Sequence, residues 1–172
     1  MHNKKNFKVV NLGCRLNFFE SDIIERILVE KKHEKKIVVN TCAVTNNAVQ
    51  KSIQEVKRLS KIFPNKEIVV TGCASQVEKN RFEGLKNVSL IVDNKNKTIP
   101  QAYEKKDFRD LSQKYKFPDS SLISSTRTRA MIQIQQGCNH RCTFCIIPYG
   151  RGNSISLPIG GVSRSIAKLL SK

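Results

Sequence analysis

Cys138, Cys142 and Cys145 stand at the spacing C-x3-C-x2-C in the run Gln136-Gly137-Cys138-Asn139-His140-Arg141-Cys142-Thr143-Phe144-Cys145. Thiols this dense are held apart by a metal centre or else pair as disulfides. A chain whose first residues show no secretory signal points to the metal. Structural zinc closes a set of four ligands, whereas three thiolates suit an iron–sulfur cluster that keeps one iron open for another molecule. The competing reading is a zinc knuckle that borrows His140 as its fourth ligand. His140 stands only two residues from Cys138, badly placed to close a tetrahedron with its neighbours.

The other three cysteines each end an apolar run: residues 7–12 lead into Gly13-Cys14, then come Ile37-Val38-Val39-Asn40-Thr41-Cys42 and Ile68-Val69-Val70-Thr71-Gly72-Cys73. Short β-branched runs of this kind read as buried strands. Between them the apolar residues recur at helical spacing, first Phe19, Ile23, Ile24, Ile27 and Leu28, then Val49, Ile53, Val56, Leu59 and Phe63 up to Pro64. The cysteines stand 28 and 31 residues apart, close to the length of one βαβ unit. A short helix over 75–82, a fourth strand over 88–92 and a final helix over 100–106 complete the pattern. The expected class is α/β, a parallel sheet with helices on both faces. Ligands of such sheets bind outside the carboxyl ends of the strands, so Cys14, Cys42 and Cys73 share one rim and can converge on a second metal site. One strand-end cysteine alone reads equally well as a small core residue; three in equivalent places argue for a site. Asn17 and Asn40 beside them read either as loop-shaping residues or as caps and turns.

Composition narrows the partners. With 31 basic against 14 acidic residues the net charge is +17, which favours a polyanion through phosphate contacts. No Asp or Glu follows Asp119, while Arg127, Arg129, Arg141, Arg151, Arg164, Lys168 and Lys172 do. A lysine-biased surface accounts for Lys31-Lys32 and Lys35-Lys36 but not for the missing acids. No apolar run reaches the ~20 residues of a membrane span, and the first seven residues lack the apolar core of an export signal. The expected compartment is the cytoplasm, with no membrane partner. The pattern divides the chain into a first domain over 1–106, a linker over 107–128 rich in Ser, Lys and Asp, and a second unit over 129–172. There Ala130-Met131-Ile132-Gln133-Ile134-Gln135 is expected to form a strand that delivers Cys138, and residues 159–170 a helix.

On these residues the chain resembles the tRNA and ribosomal-protein methylthiotransferases among the radical S-adenosylmethionine enzymes. Cys138 to Cys145 with Phe144 as the aromatic, followed by Ile146-Ile147-Pro148-Tyr149-Gly150-Arg151-Gly152, carries the likeness. Gly13-Cys14-Arg15-Leu16-Asn17, Asn40-Thr41-Cys42 and Thr71-Gly72-Cys73 match the three motifs of the family's amino-terminal domain. The resemblance implies two [4Fe–4S] clusters, an auxiliary one on Cys14, Cys42 and Cys73 and a second on Cys138, Cys142 and Cys145. It also implies S-adenosylmethionine on the open iron of the second cluster, Phe144 beside its adenine, and an electron donor that reduces the cluster. No catalytic side chain is assigned. Arg15, Glu20-Ser21, Ala43-Val44-Thr45 and Cys145-Ile146-Ile147-Pro148-Tyr149 look like the branch acting on N6-threonylcarbamoyladenosine beside the tRNA anticodon. The isopentenyladenosine and ribosomal-protein branches are less similar at these places. Gly152-Asn153-Ser154-Ile155-Ser156 lacks arginines that relatives often carry. Family members continue through a whole radical-enzyme barrel, so the 172 residues are expected to be an incomplete catalyst. A non-catalytic iron–sulfur or RNA-binding module is the alternative from another class.

Overall fold

The β-branched runs become β1 (Lys8–Asn11), β2 (Lys36–Thr41), β3 (Glu67–Gly72) and β4 (Val88–Val92), all parallel and side by side in sequence order. The computed structural model describes residues 8–104, 115–118 and 130–171. Their alternation sets two cores. Val38 and Val69 face α1 (Arg15–Glu30), which buries Phe19, Ile23, Ile24, Ile27 and Leu28 against them. Ile37, Val39, Ile68 and Val70 face the other way, onto Val49, Ile53, Val56 and Leu59 of α2 (Asn46–Ile62). Each such side chain contributes ~1.5–3 kcal/mol by leaving water.

The order of the strands carries a topological consequence. Chain progress from β1 to β2 to β3 is in one direction, yet α1 and α2 lie on opposite faces. The two crossovers therefore have opposite hands, and one of them is the left-handed form that parallel sheets rarely use. The result is a sheet covered on both faces, as the sequence pattern implied, with α1 alone among the long helices on its side.

Three local expectations need correction. The helix expected over 75–82 is two short helices, α3 (Cys73–Val77) and α4 (Asn80–Glu83), and the final helix is a single 3-10 turn at Pro100–Tyr103. The strand expected over 130–135 is reduced to β5 (Gln135–Gln136), which pairs antiparallel with β6 (Ile155–Ser156). Most of the expected linker lies outside the described residues, although the Tyr115 hydroxyl within it bonds Gln133 Oε1 at 3.1 Å. Beyond the thiol loop come α5 (Ile147–Arg151) and α6 (Ile159–Leu170); α6 matches its expected span and buries none of its residues among those described.

Candidate metal centre

The carboxyl rim of the sheet is held by polar side chains rather than apolar ones. Thr41 Oγ1 donates to the Thr71 carbonyl at 2.7 Å, and Thr71 Oγ1 donates to the Val92 carbonyl at 2.7 Å, so hydroxyls tie β2 to β3 and β3 to β4. Asn17 Nδ2 reaches from α1 to the Thr41 carbonyl at 2.8 Å, and Asn40 Nδ2 returns to the Asn17 carbonyl at 2.9 Å and to Ser21 Oγ at 3.0 Å. Both asparagines are buried. Neither caps a helix: Asn17 lies inside α1 and Asn40 inside β2, and together they tie these two elements to each other. The helix cap at this edge is Thr45, whose side chain accepts from Ala48 N.

This lattice places the first three cysteines. Cys14 is the N-cap of α1, Cys42 follows the last residue of β2, and Cys73 opens α3 directly after β3. The strand ends are in register, with Asn11 beside Asn40 and Thr41 beside Gly72. Cys14 is exposed, Cys73 is partly so, Cys42 is buried, and all are free thiols. They share one rim. Among the described residues, however, no three His, Cys, Asp or Glu side chains are already gathered tightly enough to hold one metal ion.

The second triplet lies on an open turn. Cys138 N donates to the Gly152 carbonyl at 3.1 Å, and Cys145 N to the Cys142 carbonyl at 3.0 Å. Gly137 has φ +72°, and a Cβ there would sit 2.2 Å from the Asn153 carbonyl oxygen, so only glycine allows the loop to close on itself. Arg141 bonds the Cys138 carbonyl at 2.9 Å and also the Asn153 side chain. Phe144 is 90% exposed. His140 is exposed as well.

The two regions meet through a residue that the sequence marks only by its charge and its place after Gly150. Arg151, at the end of α5, sends its guanidinium into the rim. Nη1 and Nη2 bond the two oxygens of Glu20 at 3.0 Å each, Nη1 also bonds Gln136 Oε1 at 3.0 Å, and Nη2 bonds Asn17 Oδ1. Lys97 contacts the same carboxylate, with 0% side-chain exposure for Lys97 and Glu20 and 5% for Arg151. The angle of that contact leaves the Lys97 ammonium without a well-formed hydrogen bond. Burial lowers the Lys97 pKa against the pull of Glu20. For Arg151 burial opposes the charge, but Glu20, with the Cys73 and Cys14 sulfurs behind it, outweighs that and raises its pKa. Next to Arg151, Asn94 Nδ2 bonds the Gly150 carbonyl and lies 3.5 Å from Cys73 Sγ. A cavity of about 510 Å³ opens here, lined by Gln76, Asn94, Gln136, Tyr149, Arg151 and Asn153 among others.

Comparison with known proteins fits this frame. The model of the uncharacterized protein family UPF0004 matches residues 6–93, the span of the whole parallel sheet. The chain belongs to this family. A threonylcarbamoyladenosine tRNA methylthiotransferase of Rickettsia prowazekii is 35% identical over 100% of this chain and 42% of its own length. A tRNA-2-methylthio-N(6)-dimethylallyladenosine synthase of Wolbachia pipientis is 26% identical over 97% and 43%, and a ribosomal protein uS12 methylthiotransferase of Klebsiella pneumoniae is 34% identical over 93% and 38%. The chain thus spans about two fifths of the length of these relatives. The expected likeness to the amino-terminal portion of the methylthiotransferases holds over nearly the whole chain.

For a UPF0004 rim of this kind, the donor set fits an iron–sulfur centre. Three thiols at adjacent strand ends are anionic when ligating, and a buried ammonium with unmatched N–H groups stands within electrostatic reach of Cys73. A signal for this network was present in the sequence. Glu20 lies on the apolar stripe of α1 with Ile24 and Ile27, four and seven residues on, and a carboxylate there demands a buried cation.

Proposed function

We propose that this chain is the amino-terminal part of a radical S-adenosylmethionine methylthiotransferase that modifies N6-threonylcarbamoyladenosine in tRNA at C2. The observation that carries the reading is the seating of the second thiol loop on the rim of the first: Gly150 lies against Cys73, with a Cβ at Gly150 only 3.2 Å from that of Cys73. Transfer of sulfur to a carbon needs the sulfur source and the radical source to face one substrate. Cys14, Cys42 and Cys73 would hold the auxiliary cluster, and Cys138, Cys142 and Cys145 the cluster that binds S-adenosylmethionine. When bound, these groups supply sulfur and one-electron cleavage chemistry, respectively. The exposed Phe144 is available to an adenine. We read β5 with the loop after it as the start of the family barrel. The threonylcarbamoyladenosine branch rests on the motif flanks and on the Rickettsia relative. The net charge of +17 suits an RNA partner, and the expected place of action is the cytoplasm.

Anaerobic reconstitution tests the assignment. The chain should take up about eight irons, and each cysteine triplet changed to alanine should remove about four of them, as thiolate-held [4Fe–4S] clusters require. Full iron in either triple variant refutes the ligand set. Mass spectrometry of tRNA from cells lacking their own enzyme should show no methylthio mark with the 172-residue chain and its return when the same sequence is extended by a family barrel. A mark made by the short chain alone refutes the view of it as an incomplete catalyst.

A further inference from the structure

The buried group formed by Glu20, Lys97 and Arg151 does not balance. Two cations share one carboxylate, and all three side chains are shut away from water. Burying a pair of ions is already costly, and burying a surplus charge costs more unless something compensates it. The described surroundings point to where the compensation lies. Burial opposes charge on both cations and Arg151 also opposes it on Lys97, while Glu20, Cys73 and Cys14 favour it on Arg151 and Glu20 and Cys73 favour it on Lys97. Lys97 Nζ has no well-formed hydrogen bond, and Asn94 Nδ2 already points at Cys73 Sγ. The Lys97 ammonium, the Arg151 guanidinium and the Asn94 amide N–H all favour negative charge on the rim side.

Resting on the cluster reading above, we propose that Arg151 and Lys97 are positioning residues that set the reduction potential of the centre held by Cys14, Cys42 and Cys73. The positive surplus stabilises the more reduced, more negative form. Arg151 arrives from α5, just beyond the other thiol triplet, so docking of that helix is what completes the field. The bidentate hold on Glu20, with Asn17 and Gln136 as further acceptors, fixes the guanidinium in place.

The test uses the full chain with Cys138, Cys142 and Cys145 changed to alanine, so that one reconstituted cluster is read. Dithionite supplies one electron, taking the cluster from its 2+ to its 1+ state, and electron paramagnetic resonance follows the reduced form. Arg151→Gln and Lys97→Met should each lower the potential by at least a tenfold change in the reduction equilibrium, ~59 mV for one electron. Arg151→Lys, which keeps the charge, should stay within that tenfold. Glu20→Gln, which removes negative charge, should not lower the potential. A purely structural network would shift Glu20→Gln in the same direction as Arg151→Gln, and that result overturns the proposal. So does a potential unmoved in Lys97→Met, even if Arg151→Gln fails to hold a cluster. Absence of iron from the parent chain overturns the cluster reading and this inference with it, whereas iron with an unmoved potential overturns this inference alone.

Discussion

Gly72 is the last residue of β3 and holds the backbone at φ +100°, ψ −173° immediately before Cys73. That region is open essentially to glycine alone, and forcing another residue into it costs ~1–3 kcal/mol. Space is a second, separate obstacle. A Cβ on Gly72 would lie 2.3 Å from the Thr41 carbonyl oxygen and 2.4 Å from the Thr41 nitrogen. These are backbone atoms of the neighbouring strand, fixed by the pairing of Thr41 with Gly72 and by the Asn17 bond to that carbonyl. They cannot swing aside, so overpacking adds ~1–3 kcal/mol. Gly72→Ala should therefore lose ~4 kcal/mol, a third or more of the stability typical of a domain. In urea denaturation, with a slope of ~2 kcal/mol per molar, the midpoint should fall by ~2 M. Gly84→Ala is the matched control. Gly84 has φ −87° and open space around its Cβ position, so alanine there should raise stability by ~0.4–1 kcal/mol through the unfolded chain. A Gly72→Ala midpoint within ~0.5 M of the parent, using the same slope, would refute the reasoning. Because Cys73 follows directly, iron uptake by the first triplet should fall with it.

Thr71→Val removes the donor to the Val92 carbonyl and should cost ~1–3 kcal/mol in the same assay; a change under ~0.5 kcal/mol would show that water replaces the bond without penalty. Burial, and next Lys36, lower the pKa of His33, so below about 6.5 the unfolded chain binds the proton more readily than the folded one and stability falls with falling pH. His33→Gln should lose less stability than the parent between pH 7.5 and 5.5, and parallel losses would dismiss this contribution. Transfer RNA should bind the chain weakly and in a salt-dependent way, with log affinity falling linearly with log salt in filter binding; salt-independent binding would mean that charge is not its basis.

The strands and the two long helices were legible because each depends on a local periodicity that packing then confirms, whereas α6 follows its periodicity with no residue buried among those described. β-branched runs ending in cysteine gave the parallel sheet and its rim. What alternation cannot reveal is on which face each helix lands, because Val38 and Val39 are equally apolar and offer equally good faces. The opposite hands of the first two crossovers are thus invisible to any pattern of single residues. The short strand β5 was misjudged for a related reason. Met131 packs on the α1 core while Ile134 is exposed, and Gln133 turns inward to bond Gln136 Oε1 at 3.1 Å. Alternation of residue type there reflects packing on the first domain rather than ladder pairing.

Glu20 shows how such a limit can be narrowed. A carboxylate on the buried stripe of an amphipathic helix has either a cationic partner or a raised pKa, so its position in the sequence already predicts that a distant Arg or Lys must reach it. The sequence cannot choose among 31 basic residues. Geometry can: Arg151 is 131 residues away and Lys97 lies in the segment after β4. Both must be seated before Glu20 can be buried without penalty. It follows that the rim of the sheet is complete only with α5 seated on it. If Arg151 withdrew, Glu20 would keep Lys97 alone, Asn17 and Gln136 would each lose a donor, and the amide lattice that positions Cys14 and Cys42 would loosen from its outer edge. The segment after the second thiol triplet thus meets the rim at three places: Arg151 on Glu20, Gly150 against Cys73, and the Gly150 carbonyl on Asn94.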